Sequence, residues 1–183
     1  MSLERVLYWV DAGTTKYTGM YAMQQRIAAL RETKAIGDII IATQHLPEVN
    51  FGSDKDNNQF SKALLKETCR RKGREYTKED IIGTLRAKGI EFSETTRGGG
   101  ATVVAPGQYI FYPIVDHKAL TNGKTDVTAY KRLIDQILYN VIKQWNVPNL
   151  GIAQGTITTA QGTRERRDVW TTVDGKSYKI GSK

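Results

Sequence analysis

Arg97 and the run Gly98-Gly99-Gly100 concentrate the charge and backbone freedom that ligand contacts need. Glycine has no Cβ, so backbone there approaches a ligand closely and takes positive φ. An arginine beside it holds a carboxylate, a phosphate or a carbonyl through its fork of N–H donors. Pro106-Gly107 makes a second tight turn, ahead of the hydrophobic run Tyr109-Ile110-Phe111-Tyr112-Pro113-Ile114. The same pattern also describes a glycine-rich hairpin with a bulge, and spacing alone leaves the two readings level. Lys176 follows Asp174-Gly175; a lysine acts as acid or base where burial lowers its pKa, and otherwise reads as a solvated turn residue. Cys69 is the single cysteine. Neighbouring arginines would lower its pKa, yet an inert half-buried cysteine is the stronger reading. His45 and His117 are far apart and lack a flanking carboxylate pattern, so no metal site is expected. Gly123-Lys124-Thr125 mimics the end of a phosphate-binding loop, but the glycine required five positions earlier is Lys118. No G-x-S-x-G elbow is present.

These groups need elements to hold them. Leu3 to Val10 is rich in β-formers and predicts a strand, with a turn at Asp11-Ala12-Gly13-Thr14-Thr15. Met20, Met23, Ile27 and Leu30 recur at helical spacing, which predicts an amphipathic helix from Tyr17 to Arg31. Ile39 to Ala42 reads as a short buried strand ended by His45-Leu46-Pro47. Residues 50–61 read as a polar loop. Residues 62–88 read as one or two basic helices, with Lys62, Lys66, Arg70, Arg71, Lys72 and Arg74 against Glu67; a solvated helix face is the plainest account of that run. Ile90 to Phe92 and Tyr109 to Val115 predict strands. Asp126 is a plausible N-cap for a helix whose stripe runs from Val127 to Ile142. Beyond Gly151 the pattern is short strands with turns at Gly155, Gly162 and Asp174-Gly175. Strands that come in adjacent pairs as well as around helices indicate an α+β domain with mixed sheets flanked by helices. A single domain over 1–183 is expected.

The stretch from Arg97 to Pro113 resembles the signature of lipoyl(octanoyl)transferases, roughly R-G-G-x-x-T-Y-H-G-P-G-Q-x-x-x-Y-P. Arg97, Gly98, Gly99, Thr102, Pro106, Gly107, Gln108, Tyr112 and Pro113 fall on it without a gap. His45-Leu46-Pro47-Glu48-Val49-Asn50-Phe51-Gly52 is similar to that family's H-P-P-x-x-T-x-G. Tyr130-Lys131-Arg132-Leu133 is similar to Y-x-R-x-L, and Val169-Trp170 with Asp174 to Gly181 to V-W-V-D-G-x-K-I-A-x-I-G. The resemblance covers nearly the whole chain, with an apparent insertion at 54–80. It implies the lipoate/biotin protein ligase-like (class II synthetase-like) fold. It also implies transfer of octanoyl from acyl carrier protein to a lysine of a lipoyl domain, such as those of 2-oxoacid dehydrogenases or the glycine cleavage H protein. The implied catalytic lysine is Lys176, because Lys176 to Gly181 keeps the family spacing, with Lys179 the alternate. The implied substrate-binding residues are His45, Arg97, Gly98, Gly99, Gly100, Thr102, Pro106, Gly107 and Gln108. No cofactor is implied.

The sequence departs from that pattern in several places. Val103-Val104 replaces the family's Tyr-His pair, and Ser53 stands where the family has arginine. The family's His-Gly-x-x-x-Asn and Pro-Cys-Gly segments do not occur, and Cys69 does not align with the nucleophilic cysteine. The expectation is a domain that lacks a C-terminal segment, is complemented by a second chain, or binds acyl groups without that mechanism.

Composition sets the outer bounds. The 183 residues are 39% hydrophobic and 25% charged, which is globular composition. No run approaches the ~20 apolar residues of a membrane span. Met-Ser-Leu-Glu-Arg carries no apolar core, so no signal peptide is expected, and a single cysteine suits a reducing, cytoplasmic setting. Lys and Arg number 27 against 19 Asp and Glu, a net charge of +8 that favours acidic partners. Acyl carrier proteins and many lipoyl domains are acidic. An ATP-using lipoate–protein ligase is a rival, although the lysine-to-glycine spacing argues against it. A non-catalytic acyl- or carrier-binding protein is a second rival. A nucleic-acid module rests on charge alone, since 62–74 interleaves no aromatics.

Overall fold

Parallel and antiparallel pairing mix within the first half of the chain, and the described strands of the second half pair antiparallel. The structure, a computed structural model, describes residues 6–52, 78–97, 101–159 and 162–181. Residues 54–77 of the apparent insertion, with the basic run and Cys69, lie outside those residues, as do Gly98 to Gly100. The chain divides into two compact units, Met1–Val115 and Asp116–Lys183.

In the first unit, strand β1 (Leu7–Thr15) runs parallel to β2 (Asp38–His45), joined through helix α1 (Tyr17–Glu32). A later strand, β6 (Ile110–Ile114), pairs antiparallel with β2 on its other side. The segment expected as a turn at Asp11 to Thr15 is instead strand. A register shift between Asp11 and Thr14 absorbs Gly13 at φ +60°, and the Asp11 carboxylate accepts from Gly13 N at 2.9 Å. This is a bulge, which the short Asx-type bond and the glycine make inexpensive. Helix α1 buries Tyr17 and Met20, while Met23 and Leu30 of the expected stripe stay exposed. Gly37 is required where β1 passes. A Cβ there would lie 2.8 Å from the Val6 carbonyl oxygen.

A second sheet has β3 (Glu48–Phe51) at its centre, parallel to β4 (Glu91–Glu94) and antiparallel to β5 (Ala101–Val104). Residues 50 and 51, expected as loop, belong to β3. Helix α2 (Lys78–Ala87) packs against β4. The core of this unit gathers Met20, Ile41, Val49, Leu85 and Val104.

The second unit opens with the short helix α3 (His117–Leu120), capped by Asp116, whose carboxylate accepts from Lys118 N at 3.1 Å and Ala119 N at 3.3 Å. Helix α4 (Val127–Lys143) is capped by Asp126, which accepts from Ala129 N at 2.8 Å. An Asn, Asp or Ser side chain at this position satisfies a backbone donor that the helix leaves open. Three antiparallel strands follow, β7 (Gly151–Thr159), β8 (Gly162–Val173) and β9 (Lys176–Gly181), in the order β7-β8-β9. They are longer than expected, and Gly155 lies inside β7 instead of at a turn. Asp174-Gly175 does form the two-residue hairpin turn, both residues at positive φ (+49° and +71°). Gly181 must be small. A Cβ there would meet Leu138 Cδ2 at 2.5 Å.

Candidate functional site

Two polar clusters of the first unit are built around His45 and Arg97, two of the residues singled out above. The first centres on His45, which β2 delivers into the interior with no exposed surface. Its Nδ1 lies 3.2 Å from the Thr15 carbonyl oxygen and 3.1 Å from Thr15 Oγ1. A carbonyl only accepts, so Nδ1 carries the proton and Nε2 accepts. The Tyr112 hydroxyl donates to that Nε2 at 2.8 Å. Thr43 extends the cluster to the bulge, donating to the Gly13 carbonyl at 2.9 Å and lying 3.0 Å from Thr15 Oγ1. Burial pushes the Tyr112 phenol up to about 12 and raises Tyr17, whose ring meets His45 edge-on at 5.4 Å. Both phenols therefore stay neutral hydrogen-bonding groups near neutral pH.

The second cluster orders Arg97. Its Nε donates to Asn50 Oδ1 at 2.5 Å and its Nη2 to the Asn50 carbonyl at 2.7 Å. Asn50 Nδ2 donates to Ser93 Oγ at 2.7 Å, and Ser93 donates to the Glu48 carboxylate. Thr95 Oγ1 donates to Asn50 Oδ1 at 3.3 Å. Asn50 and Glu48 are buried, with 1% and 3% exposure. β3 contributes Glu48 and Asn50, β4 contributes Ser93, and Arg97 lies just after it. Strand pairing sets Asn50 opposite Ser93 on one side and Thr102 on the other. Sequence reasoning singles out Arg97 and Thr102 but not Asn50, Ser93 or Glu48. Only the motif position of Asn50, at the family's threonine, marks that strand.

The second turn is tied to the first sheet. Gln108 N donates to the Ala105 carbonyl at 3.2 Å, Gly107 takes φ +87°, and Gly107 N donates to Gln44 Oε1 at 2.8 Å. Pro106, Gly107 and Gln108 are exposed there, as is Thr102. In the second unit Lys176 opens β9, exposed, directly after the hairpin turn. Lys179 Nζ lies 3.6 Å from Asp168 Oδ1 with its side chain one-third exposed, and Arg167 Nε lies 3.6 Å from the buried Asp135 Oδ2. Among the described residues, no group of three His, Cys, Asp or Glu side chains could hold a metal ion.

The Lipoyl protein ligase A/B catalytic domain family matches residues 16–182. The chain belongs to this family. An octanoyltransferase of Roseiflexus sp. (strain RS-1) is 28% identical over 76% of this chain and 49% of its own length. An octanoyltransferase of Desulfotalea psychrophila is 30% identical over 96% of this chain and 64% of its own. The chain thus spans about half the length of the curated relatives it first matches. A solved structure from T. acidophilum, of a candidate lipoate protein ligase, aligns with TM-score 0.52 and 14% identity over 93% of this chain and 65% of the other. That likeness concerns fold. The α+β architecture expected from sequence is therefore that of the lipoyl protein ligase A/B domains, and among the described residues no helix is long and apolar enough to cross a membrane.

Proposed function

We propose that this lipoyl protein ligase A/B domain is an octanoyltransferase of protein lipoylation. The observation that carries this reading is the gapless Arg97-to-Pro113 motif on a chain whose curated relatives are named octanoyltransferases. The donor is octanoyl-acyl carrier protein. The acceptor is the lysine of a lipoyl domain, in a 2-oxoacid dehydrogenase or the glycine cleavage H protein, and the setting is cytoplasmic. The thioester C–S bond breaks and an amide C–N bond forms. The carrier thiol leaves with the proton given up by the acceptor amine.

In this reading Arg97 meets the acyl carbonyl or the carrier's phosphate-bearing arm, where charge-assisted N–H donors are strongest. Gly98, Gly99 and Gly100 let backbone line the acyl path. Thr102, Pro106, Gly107 and Gln108 border it, and His45 acts through Tyr112. Lys176 serves as acid and base. The engagement of Lys179 with Asp168 supports Lys176 over Lys179 for that role. The net charge of +8 suits acidic carriers.

The test incubates the protein with octanoyl-carrier protein and a lipoyl domain, with and without ATP, and follows the lipoyl domain by mass spectrometry. Octanoylation without ATP that Lys176→Met abolishes and Cys69→Ser leaves intact is the expected result. Modification that requires ATP and free octanoate would make the domain a ligase. Binding of the carrier without any transfer would leave a non-catalytic binding protein.

A further inference from the structure

The bonds around Arg97 form a chain in which each group's direction is forced. Arginine only donates, so the Asn50 amide must turn its oxygen toward Arg97 Nε. Its NH2 then faces Ser93 Oγ, which must accept. The Ser93 proton is left for Glu48, whose carboxyl oxygen accepts it. A buried carboxylate thus communicates with a guanidinium through two neutral groups, and reversing any one of them leaves two donors or two acceptors face to face. Burying Glu48 and Asn50 this deeply is costly unless every polar atom is served.

We propose that Asn50 is a positioning residue for Arg97, held the right way round by Ser93 and Glu48, so that the guanidinium is presented to substrate in one fixed orientation. This rests on the reading of Arg97 as a substrate contact. Nothing in the chemistry of the resemblance requires a carboxylate at Glu48. The requirement comes from the one-way order of the bonds. In Asn50→Asp, two carboxylates compete for the one Ser93 proton. With Glu48→Gln added, the bonds can run the other way. The new amide at position 48 donates to Ser93, and Ser93 donates to the new carboxylate at position 50. The chain is then satisfied again, with its negative charge moved next to Arg97.

The experiment uses the full chain and two readouts. The first is the Arg97 Nε–H signal in a nitrogen-correlated NMR spectrum, assigned by its loss in Arg97→Lys. The second is the octanoyl transfer rate. In the native protein the signal should be sharp and slow to exchange. In Asn50→Leu it should broaden or vanish, and in Asn50→Asp it should weaken. In Asn50→Asp with Glu48→Gln it should return. Transfer should follow the same order, with KM for the octanoyl carrier raised at least tenfold in Asn50→Leu and mostly restored in the double variant. A packing role alone would not produce restoration by a second, charge-removing change. A native Arg97 signal that is absent or fast-exchanging overturns the proposal, and so does a double variant no better than Asn50→Asp. Should the native protein transfer no octanoyl, the functional reading fails while the NMR series still decides the role of Asn50.

Discussion

Both units bury an ion pair, Arg31 with Asp38 at 2.6 Å in the first and Arg167 with Asp135 at 3.6 Å in the second, but the first also carries hydrogen-bonded networks around His45 and Arg97. In the first, His45, Tyr112, Thr15 and Thr43 form a hydrogen-bonded network in which every donor has an acceptor, and Arg97 donates to the Asn50 side-chain amide oxygen. In the second, carboxylates face cations directly: Asp135 with Arg167, and Asp168 with Lys179. Neutral hydrogen bonds fix direction, because each has one productive arrangement. Ion pairs fix charge more than direction. A unit that must present Arg97 in one orientation gains from the first arrangement. A unit built as a three-stranded meander against α4 needs only that its buried charges cancel.

The sharpest break of this contrast removes one charge of the second unit. Asp135 is 2% exposed and Arg167 is largely buried with it, so Asp135→Ala strands a cation. Urea unfolding of the variant should show a loss of about 3 kcal/mol. A loss well under 1 kcal/mol would mean that Arg167 finds water or another partner, and that the pair is ornamental.

The matching change in the first unit is His45→Phe. It keeps a ring of similar size but removes the acceptor of the Tyr112 hydroxyl, while the Thr15 carbonyl keeps its bond from Leu46 N at 3.1 Å. About 2 kcal/mol should be lost, the cost of one orphaned hydroxyl in an interior. If stability is unchanged, the His45 network does not hold the sheet together.

Alkaline titration probes the Tyr112 end of the first unit's network. The Tyr112 phenol is raised from its ordinary 10.0 to about 12, by burial first. The folded state therefore keeps a proton that the unfolded chain releases. Its contribution is fully present below pH 10 and is lost between about 10 and 12. Stability against pH should thus fall more steeply for the native protein than for Tyr112→Phe in that window, with phenolate absorbance reporting the ionisation. Parallel curves would remove burial as the cause.

A smaller effect concerns approach of the carrier. With a charge of +8, affinity for an acidic carrier domain should fall several-fold between about 0.01 M and physiological salt, as the Debye length drops from about 30 to about 8 Å. Isothermal titration at the two ionic strengths measures it, and an affinity indifferent to salt would confine recognition to short-range contacts.

Much of this is legible in the residues themselves. The helix expected at Tyr17 to Arg31 runs from Tyr17 to Glu32, the Asp126 cap is present, and Asp174-Gly175 turns where its residue types demand. These features are local, decided within one or two helical turns. β3 escapes notice as a strand because Glu48 and Asn50 make it look like loop. They are buried only because Ser93, Thr95 and Arg97, more than forty positions on, supply their partners. The bulge in β1 resembles a turn for a related reason: Asp11 and Gly13 signal a kink, and only pairing with β2 shows that the strand continues past it. Arg97 stands out through its glycines, whereas the residue that aims it carries no such mark.

Presentation of Arg97 to an octanoyl substrate by the first unit is tested most directly by one affinity. It is that for octanoyl-carrier protein, measured for the native chain and for Arg97→Met, which keeps an unbranched apolar stem but removes every N–H donor. Loss of charge-assisted hydrogen bonds should weaken binding about 10- to 100-fold. Equal affinity in the two proteins would contradict the account.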